Sequence, residues 1–236
     1  MRKLLPVALA FVLTSCEATP PEDQNVAFFR SVLETFPHAG PGEFPTPDSV
    51  VRAYFQAILD NDVGRTFACL PLRQRYETSG FDEQVRRTGV YDPASNPFPG
   101  NGYTRFLKVL GSHHRTVHSL RLLLLAKANP EVEALFEKQS YIDAKRKDGK
   151  IDPAWLGEMR ERLDLDQLRR WRIKEVAAGT PEEAEALHGI PVSATARVSI
   201  TLAHGETELP PIRNIVVAKI DGNYQIMLFP FPAWVQ

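Results

Sequence analysis

Apolar and polar residues alternate strictly along residues 192–202, the clearest pattern in the chain. The apolar positions are Val192, Ala194, Ala196, Val198, Ile200 and Leu202. Because successive side chains of a strand point to opposite faces, this pattern predicts a strand with one buried and one solvated face. A further strand is predicted over residues 171–177.

Residues 215–229 predict a β-hairpin that pairs with this strand. Asp221-Gly222 lies between two apolar runs, and this dipeptide readily adopts the positive φ angles of a type I′ turn. Counting outward from the turn places Lys219 opposite Tyr224. The same count places Val217 opposite Ile226 and Ile215 opposite Leu228. One face of the hairpin is then almost entirely apolar, so the sheet needs a helix to cover it.

The helix best suited to cover the sheet is predicted over residues 46–61. Thr46-Pro47-Asp48 is a typical helix start, with a cap, a proline in the first turn and an acid near the helix dipole. Its apolar positions are Val50, Val51, Tyr54, Phe55, Ile58 and Leu59. A second short helix is predicted to begin at the cap Asp62 and to end at Pro71.

The pattern of apolar residues predicts helices over much of the rest of the sequence. An amphipathic helix is expected over residues 23–36, docked on the domain, with a helix at the membrane surface as the alternative. A linker over 37–45 follows. Residues 91–102 read as a loop, and helices are expected over 103–128, from a cap at Asn129 to beyond Ile142, and from a cap at Asp152. Thr180-Pro181-Glu182-Glu183 fits a capping box, which predicts a short helix that ends at Gly189.

The first sixteen residues resemble a bacterial lipoprotein leader. Arg2-Lys3 precedes a short apolar run, and Leu13-Thr14-Ser15-Cys16 resembles a lipobox. The resemblance implies a signal peptide over 1–15 and lipidation of Cys16, with several acyl chains that anchor the protein stably. An ordinary secretory leader in which Cys16 is incidental is the alternative. Glu17 after the cysteine favours, by analogy, the outer membrane facing the periplasm.

Net charge and cysteine content further restrict the possible ligands and disulfide bonds. Net charge is −1 at pH 7, which argues against a general nucleic-acid binder. A lipidated Cys16 leaves Cys69 without a disulfide partner, and Cys69 lies in an apolar helical stretch. We therefore expect Cys69 to be a small buried core residue.

The start and the end of the domain resemble a known family. The run from Thr46 to Phe55, the Asp60-Asn61-Asp62 turn and the hairpin around Asp221 are similar to NTF2-like (SnoaL-like) domains. The resemblance covers about 46–70 and 171–234. It implies an α+β fold, a curved antiparallel sheet that forms a cone around a long N-terminal helix, within a domain over 46–236. Residues 72–166 then form a large helical insertion, and residues 16–45 a lipidated tether, short helix and linker.

The resemblance also implies where chemistry or binding would occur. Enzymes of this family are isomerases, dehydratases and cyclases with acid and base groups inside the cone. Here the inward-facing candidates are Glu175, which shares strand parity with Trp171, and Tyr54. A solvated strand end and ordinary core packing are the respective alternatives. The expected lining of an apolar ligand pocket is Tyr54, Phe55, Ile58, Trp171, Tyr224 and Ile226.

A histidine cluster formed by His113, His114 and His118 is the remaining candidate for chemistry. His114 and His118 are four residues apart, so they share one helix face and are weak candidates for a metal site. A solvated basic face is the alternative. The sequence contains no glycine-rich phosphate loop, no G-x-S-x-G and no CxxC. No cofactor is expected.

The sequence therefore predicts a lipid-anchored protein of the bacterial cell envelope with a non-catalytic binding or scaffold role. Its partners would be the membrane, through Cys16, and a small apolar ligand in the cavity or an envelope protein at the insertion. An isomerase, dehydratase or cyclase that uses Glu175 and Tyr54 is the alternative, and an envelope assembly partner is a second alternative. The polar outer face of the sheet favours a monomer.

Overall fold

The computed structural model describes residues 31, 33–78, 102–137 and 152–228, without the side chains of residues 102–109, 156, 160 and 228. Within these ranges, helices come first and an antiparallel sheet follows. The predicted α+β class is therefore confirmed. The predicted leader, the lipidation site and Ile142 lie outside the described residues. The predicted loop over 91–102 also lies outside them, except for Gly102, where a helix begins.

The helices largely follow the predicted pattern. They are α1 (Pro47–Leu59), α2 (Leu72–Thr78), α3 (Gly102–Ala128), α4 (Pro130–Phe136) and α5 (Pro153–Arg162). Two 3₁₀ helices, Gly64–Cys69 and Leu165–Arg170, follow α1 and α5. The side chains of Asn129 and Asp152 cap α4 and α5 by accepting backbone hydrogen bonds, as predicted.

The strands are β1 (Arg172–Ala178), β2 (Glu182–Glu183), β3 (Ala186–Leu187), β4 (Ile190–Pro191), β5 (Ala194–His204), β6 (Thr207–Glu208), β7 (Ile212–Ile220) and β8 (Asn223–Leu228). The main sheet has the order β1-β5-β7-β8, and β2 and β6 each pair with β5. Strands β3 and β4 form a separate two-stranded sheet.

The C-terminal hairpin has the predicted turn and most of the predicted register. Asp221 and Gly222 both have positive φ, and Lys219 lies opposite Tyr224. Beyond Val217 the prediction is wrong, because the register shifts and Leu228 lies opposite Val216 instead of Ile215. A bulge gives one strand an extra residue and bends it, so the count from the turn fails beyond that point.

Helix α1 covers the apolar face of the sheet, as its spacing predicted. Phe55 and Ile58 are inaccessible to solvent and belong to one core with Ile200, Val217 and other residues of β5, β7 and β8. Burial of an isoleucine or a phenylalanine contributes about 1.5–3 kcal/mol relative to exposure. The packing of α1 on the sheet is therefore a large part of the stability of the domain.

The helix predicted to end at Gly189 is not formed. Glu182 and Glu183 are instead strand residues that pair with Thr195 and Ala194 of β5. A capping box fixes only a helix end, and here the edge of the sheet offers the backbone better partners. The positive φ of His188 and Gly189 makes the turn between β3 and β4.

Two further helix predictions need revision. Helix α2 was not foreseen, and it buries Leu72 and Tyr76 against Leu33, a residue of the predicted docking helix. Helix α4 ends at Phe136 instead of continuing toward Ile142, because Glu137 adopts an extended ψ of 137°.

The predicted linker over 37–45 is held against the hairpin. The buried side chain of Asn223 accepts a hydrogen bond from the Phe44 backbone N–H at 3.0 Å and donates one to the Gly40 carbonyl at 2.9 Å. The Tyr224 N–H also donates to the Phe44 carbonyl at 2.8 Å. Phe44 is buried in the main core, so this segment is part of the folded domain.

Replacing Ile58 by alanine tests the packing of α1 on the sheet. We expect the free energy of unfolding to fall by about 2–5 kcal/mol, because the change removes buried methyl groups and leaves a cavity. Urea denaturation followed by circular dichroism measures this loss. The matched change Arg52→Ala lies on the exposed face of the same helix, and we expect it to stay within about 0.5 kcal/mol of the original. Equal losses for both variants would contradict the packing described.

Candidate functional site

The six residues predicted to line a pocket come together in the main core. Tyr54, Phe55 and Ile58 from α1 meet Trp171, Tyr224 and Ile226 from the sheet side. None of the six is more than 5% exposed. Trp171 is held in place by a hydrogen bond from its indole N–H to the Leu124 carbonyl of α3, at 3.0 Å. The sequence therefore identified a set of residues that lie together, and these residues are the centre of the core.

A chain of polar groups crosses this core. The Tyr54 hydroxyl lies 3.3 Å from Nδ1 of His113, and Nε2 of His113 lies 2.9 Å from the Thr66 hydroxyl. The Thr66 hydroxyl in turn donates to the Val63 carbonyl at 2.6 Å. Tyr54, His113 and Thr66 are all buried. These hydrogen bonds link α1, α3 and the first 3₁₀ helix.

The direction of these hydrogen bonds follows from the number of hydrogens that each group can donate. Thr66 has one hydroxyl hydrogen and gives it to the Val63 carbonyl, so its oxygen can only accept from His113. We therefore assign the hydrogen of the His113 ring to Nε2, which leaves Nδ1 to accept from the Tyr54 hydroxyl. Both ring nitrogens are then occupied.

Burial keeps these groups neutral. Burial, with a smaller contribution from the positive charge of His114, lowers the pKa of His113 to about 4. Burial, with a smaller contribution from the nearby Cys69 thiol, raises the pKa of Tyr54 well above its usual range. Neither side chain carries charge near neutral pH, and both ring nitrogens of His113 are already occupied, so these hydrogen bonds stabilise the packing of three helices.

Sequence reasoning placed His113 in the histidine cluster without assigning it a role. The signal was its helical spacing from Val117 and from Leu120 and Leu124, all of which are buried. A histidine on the apolar face of a long helix needs polar partners, and Tyr54 and Thr66 supply them from distant parts of the chain.

Glu175, the predicted acid, is exposed rather than directed into the core. The register of β1 shifts between Ile173 and Glu175, so the alternation that the sequence suggested is interrupted by a bulge. Val176 takes the half-buried position in place of Glu175. The expectation that Glu175 faces a cavity is therefore wrong.

Cys69 is the buried core residue that was expected. It is 1% exposed and belongs to the main cluster. Burial, followed by the negative charge of Glu43, raises the pKa of its thiol to about 12, despite an opposing effect from Arg65. A thiol of this kind is not a reactive nucleophile.

His114 and His118 lie on the exposed side of α3. Their Nε2 atoms are 3.0 Å apart and their ring centroids 4.2 Å apart. Burial, with smaller contributions from His114 and Arg121, lowers the pKa of His118. Among the residues described, no group of three or more His, Cys, Asp or Glu side chains could hold a metal ion.

The described helices differ from membrane-spanning helices. None of them is both long and apolar enough to cross a bilayer. Known protein families, characterised proteins and solved structures provide no match to this chain.

Replacing His113 by glutamine tests the buried polar chain. In the original protein we expect the free energy of unfolding to fall between pH 6.5 and about pH 4, because the unfolded chain binds a proton there that the folded chain does not. The loss due to this residue is on the order of 3 kcal/mol, and His113→Gln is expected to remove it from the pH profile.

Urea denaturation of both proteins at pH 7 and at pH 4.5 measures the difference. His38→Gln, which removes an exposed imidazole outside the core, is the control. An unchanged pH dependence in His113→Gln would contradict the neutral, buried state of His113.

Proposed function

We propose that this chain is a lipid-anchored bacterial envelope protein with a non-catalytic NTF2-like domain, and that its helical insertion binds another envelope protein. The anchor would be acyl chains on Cys16. The domain would hold the insertion at a fixed orientation, and the insertion would make the contact.

The observation that carries the non-catalytic role is the state of the candidate catalytic groups. Tyr54 and His113 hydrogen-bond each other within the core, and Cys69 is buried with a raised pKa. Glu175, the acid on which an isomerase mechanism would depend, is exposed on β1. Proton abstraction needs an acceptor that is held beside a bound substrate; here the buried groups are already paired with one another, and Glu175 lies in solvent apart from them.

Three bulges support the NTF2-like assignment. The register shifts within the β1–β5, β5–β7 and β7–β8 pairs, and each bulge increases the local bend of the sheet. Helix α1 packs against the buried face of this sheet and contacts β1, β5 and β8. A curved antiparallel sheet around one N-terminal helix is the arrangement that the family resemblance implies.

The lipobox-like run Leu13-Thr14-Ser15-Cys16 supports the anchor. The short apolar run before it is too short for a stable bilayer span, whereas acyl chains bury enough methylene groups, at about 0.8 kcal/mol each, to hold a protein at a membrane.

The insertion supports the contact because its apolar groups are incompletely covered. Helices α4 and α5 pack with the end of α3 around the buried residues Ala126, Val132 and Met159. Phe136 and Trp155 lie edge to face beside them, with centroids 6.2 Å apart, and both are only half-buried. Aromatic side chains of this kind are enriched at protein interfaces.

The predicted pocket contributes less to this proposal. Its six residues are enclosed in the core, so a partner would meet α4 and α5 before it met any of them. A small apolar ligand among these side chains stays a prediction.

Replacing Cys16 by serine tests the anchor. We expect metabolic labelling with an alkyne-bearing fatty acid to label the original protein and not Cys16→Ser, because serine offers no sulfur for the thioether. Cys69→Ser is the matched control and should keep the label, since Cys69 is buried in the core. Equal labelling of Cys16→Ser would rule out lipidation at this position.

A photoreactive benzophenone residue introduced at Ala134 tests the contact. Ala134 is exposed on α4, two residues before Phe136, so we expect irradiation of intact cells to link the protein to a membrane-associated partner. The same residue introduced at Glu206, exposed in the turn between β5 and β6, is the control and should give no such product. The product should also weaken when Cys16→Ser releases the protein from the membrane. Equal products from both positions would contradict a contact through the insertion.

A further inference from the structure

The two exposed imidazoles of α3 form a feature that the proposed function does not use. His114 and His118 are four residues apart in a helix of 27 residues, so the backbone holds their side chains over one another on one face. Both side chains are exposed.

The orientation of this face is fixed from the other side of the helix. His113 and Val117, the neighbours of the pair along the chain, are buried in the core. The hydrogen bonds of His113 to Tyr54 and Thr66 hold α3 against α1 and the first 3₁₀ helix. Rotation of α3 that would bury or separate the exposed pair would break these contacts, so the pair is pre-positioned.

The distance between the two Nε2 atoms matches one type of metal coordination. Two imidazole nitrogens about 2.0 to 2.1 Å from a metal ion, in adjacent positions of a square or octahedral sphere, are about 2.9 Å apart. In a tetrahedral sphere the same bond lengths give about 3.3 to 3.4 Å. The observed separation of 3.0 Å is close to the first value.

We propose that His114 and His118 bind a divalent transition-metal ion of tetragonal preference, Cu²⁺ above all, through their two Nε2 atoms. The geometry favours Cu²⁺ and Ni²⁺ over Zn²⁺, and the general order of affinities places Cu²⁺ above both. Water would fill the other coordination positions, because no third His, Cys, Asp or Glu joins the pair among the described residues.

Binding exchanges two water ligands of the metal ion for two imidazole nitrogens. In the metal-free protein one Nε2 donates its hydrogen to the other. On binding, each neutral ring would carry its hydrogen on Nδ1 and offer the Nε2 lone pair to the ion, while two metal-bound waters leave. Arg115 and Arg121 bring positive charge to the same region, and the Arg121 guanidinium donates to the Asn61 side chain. Their repulsion limits the affinity and favours an ion that binds imidazole strongly.

Calorimetric titration of the detergent-extracted full chain with CuCl₂, NiCl₂ and ZnCl₂ tests the site. We expect one Cu²⁺ per chain, with Ni²⁺ and Zn²⁺ weaker. His118→Gln should weaken Cu²⁺ binding about tenfold or more, a loss of about 1.4 kcal/mol per factor of ten. His38→Gln, which removes an exposed imidazole outside α3, should leave the affinity unchanged.

A double variant separates chelation from the mere presence of histidine. His118→Gln combined with Ser119→His keeps the number of histidines but moves one off the face of His114, so we expect it to bind as weakly as His118→Gln alone. Electron paramagnetic resonance should detect two nitrogen ligands on Cu²⁺ in the original protein and fewer in both variants. Circular dichroism confirms that each variant is folded. No Cu²⁺ binding to the original protein, or equal affinity in the double variant, would overturn the proposal.

Discussion

The fold depends on one constraint: the apolar face that β5, β7 and β8 share must be covered, and α1 is the helix that covers it. Strands β5, β7 and β8 present apolar side chains to this helix, and Phe55 and Ile58 lie at the centre of the contact. The other face of β5 keeps residues such as Arg197 in solvent. Separation of α1 from the sheet would expose both surfaces at once, so the two elements are stable only together.

A second constraint acts within this core, because its polar groups must be satisfied. The Tyr54 hydroxyl, the His113 ring and the Thr66 hydroxyl form a continuous chain in which each donor has an acceptor. These hydrogen bonds restrict the relative orientation of the helices, which shape alone would otherwise determine. Loss of one member would leave a buried polar group unpaired. The hydrogen-bond chain also links the core to the surface, since the same contacts determine which face of α3 points outward.

Local patterns were sufficient to predict much of this structure from the sequence. Strict alternation identified β5, the Asp221-Gly222 turn set the register next to it, and the caps at Asn129 and Asp152 marked two helix starts. Each of these features depends on residues that are close in sequence. The same periodicity was enough to group Tyr54 with the other core residues.

The features that the sequence did not predict depend on distant contacts. A bulge in β1 turned Glu175 to solvent, and a second bulge shifted Ile215 away from Leu228, because strand partners decide where an extra residue is accommodated. Pairing with β5 drew Glu182 and Glu183 into a strand. His113 acquired its partners from α1 and the 3₁₀ helix, which no local spacing reveals.

The contact of Asn223 with the segment near Phe44 has a consequence for the order of events during synthesis. The two residues are 179 positions apart, so the amino-terminal segment has no docking site until the final hairpin has left the ribosome. A chain that ended before β8 would keep α1 but lack Asn223 and one of the two strands that pair with β7. Attachment of the segment near Phe44 therefore follows completion of the final hairpin.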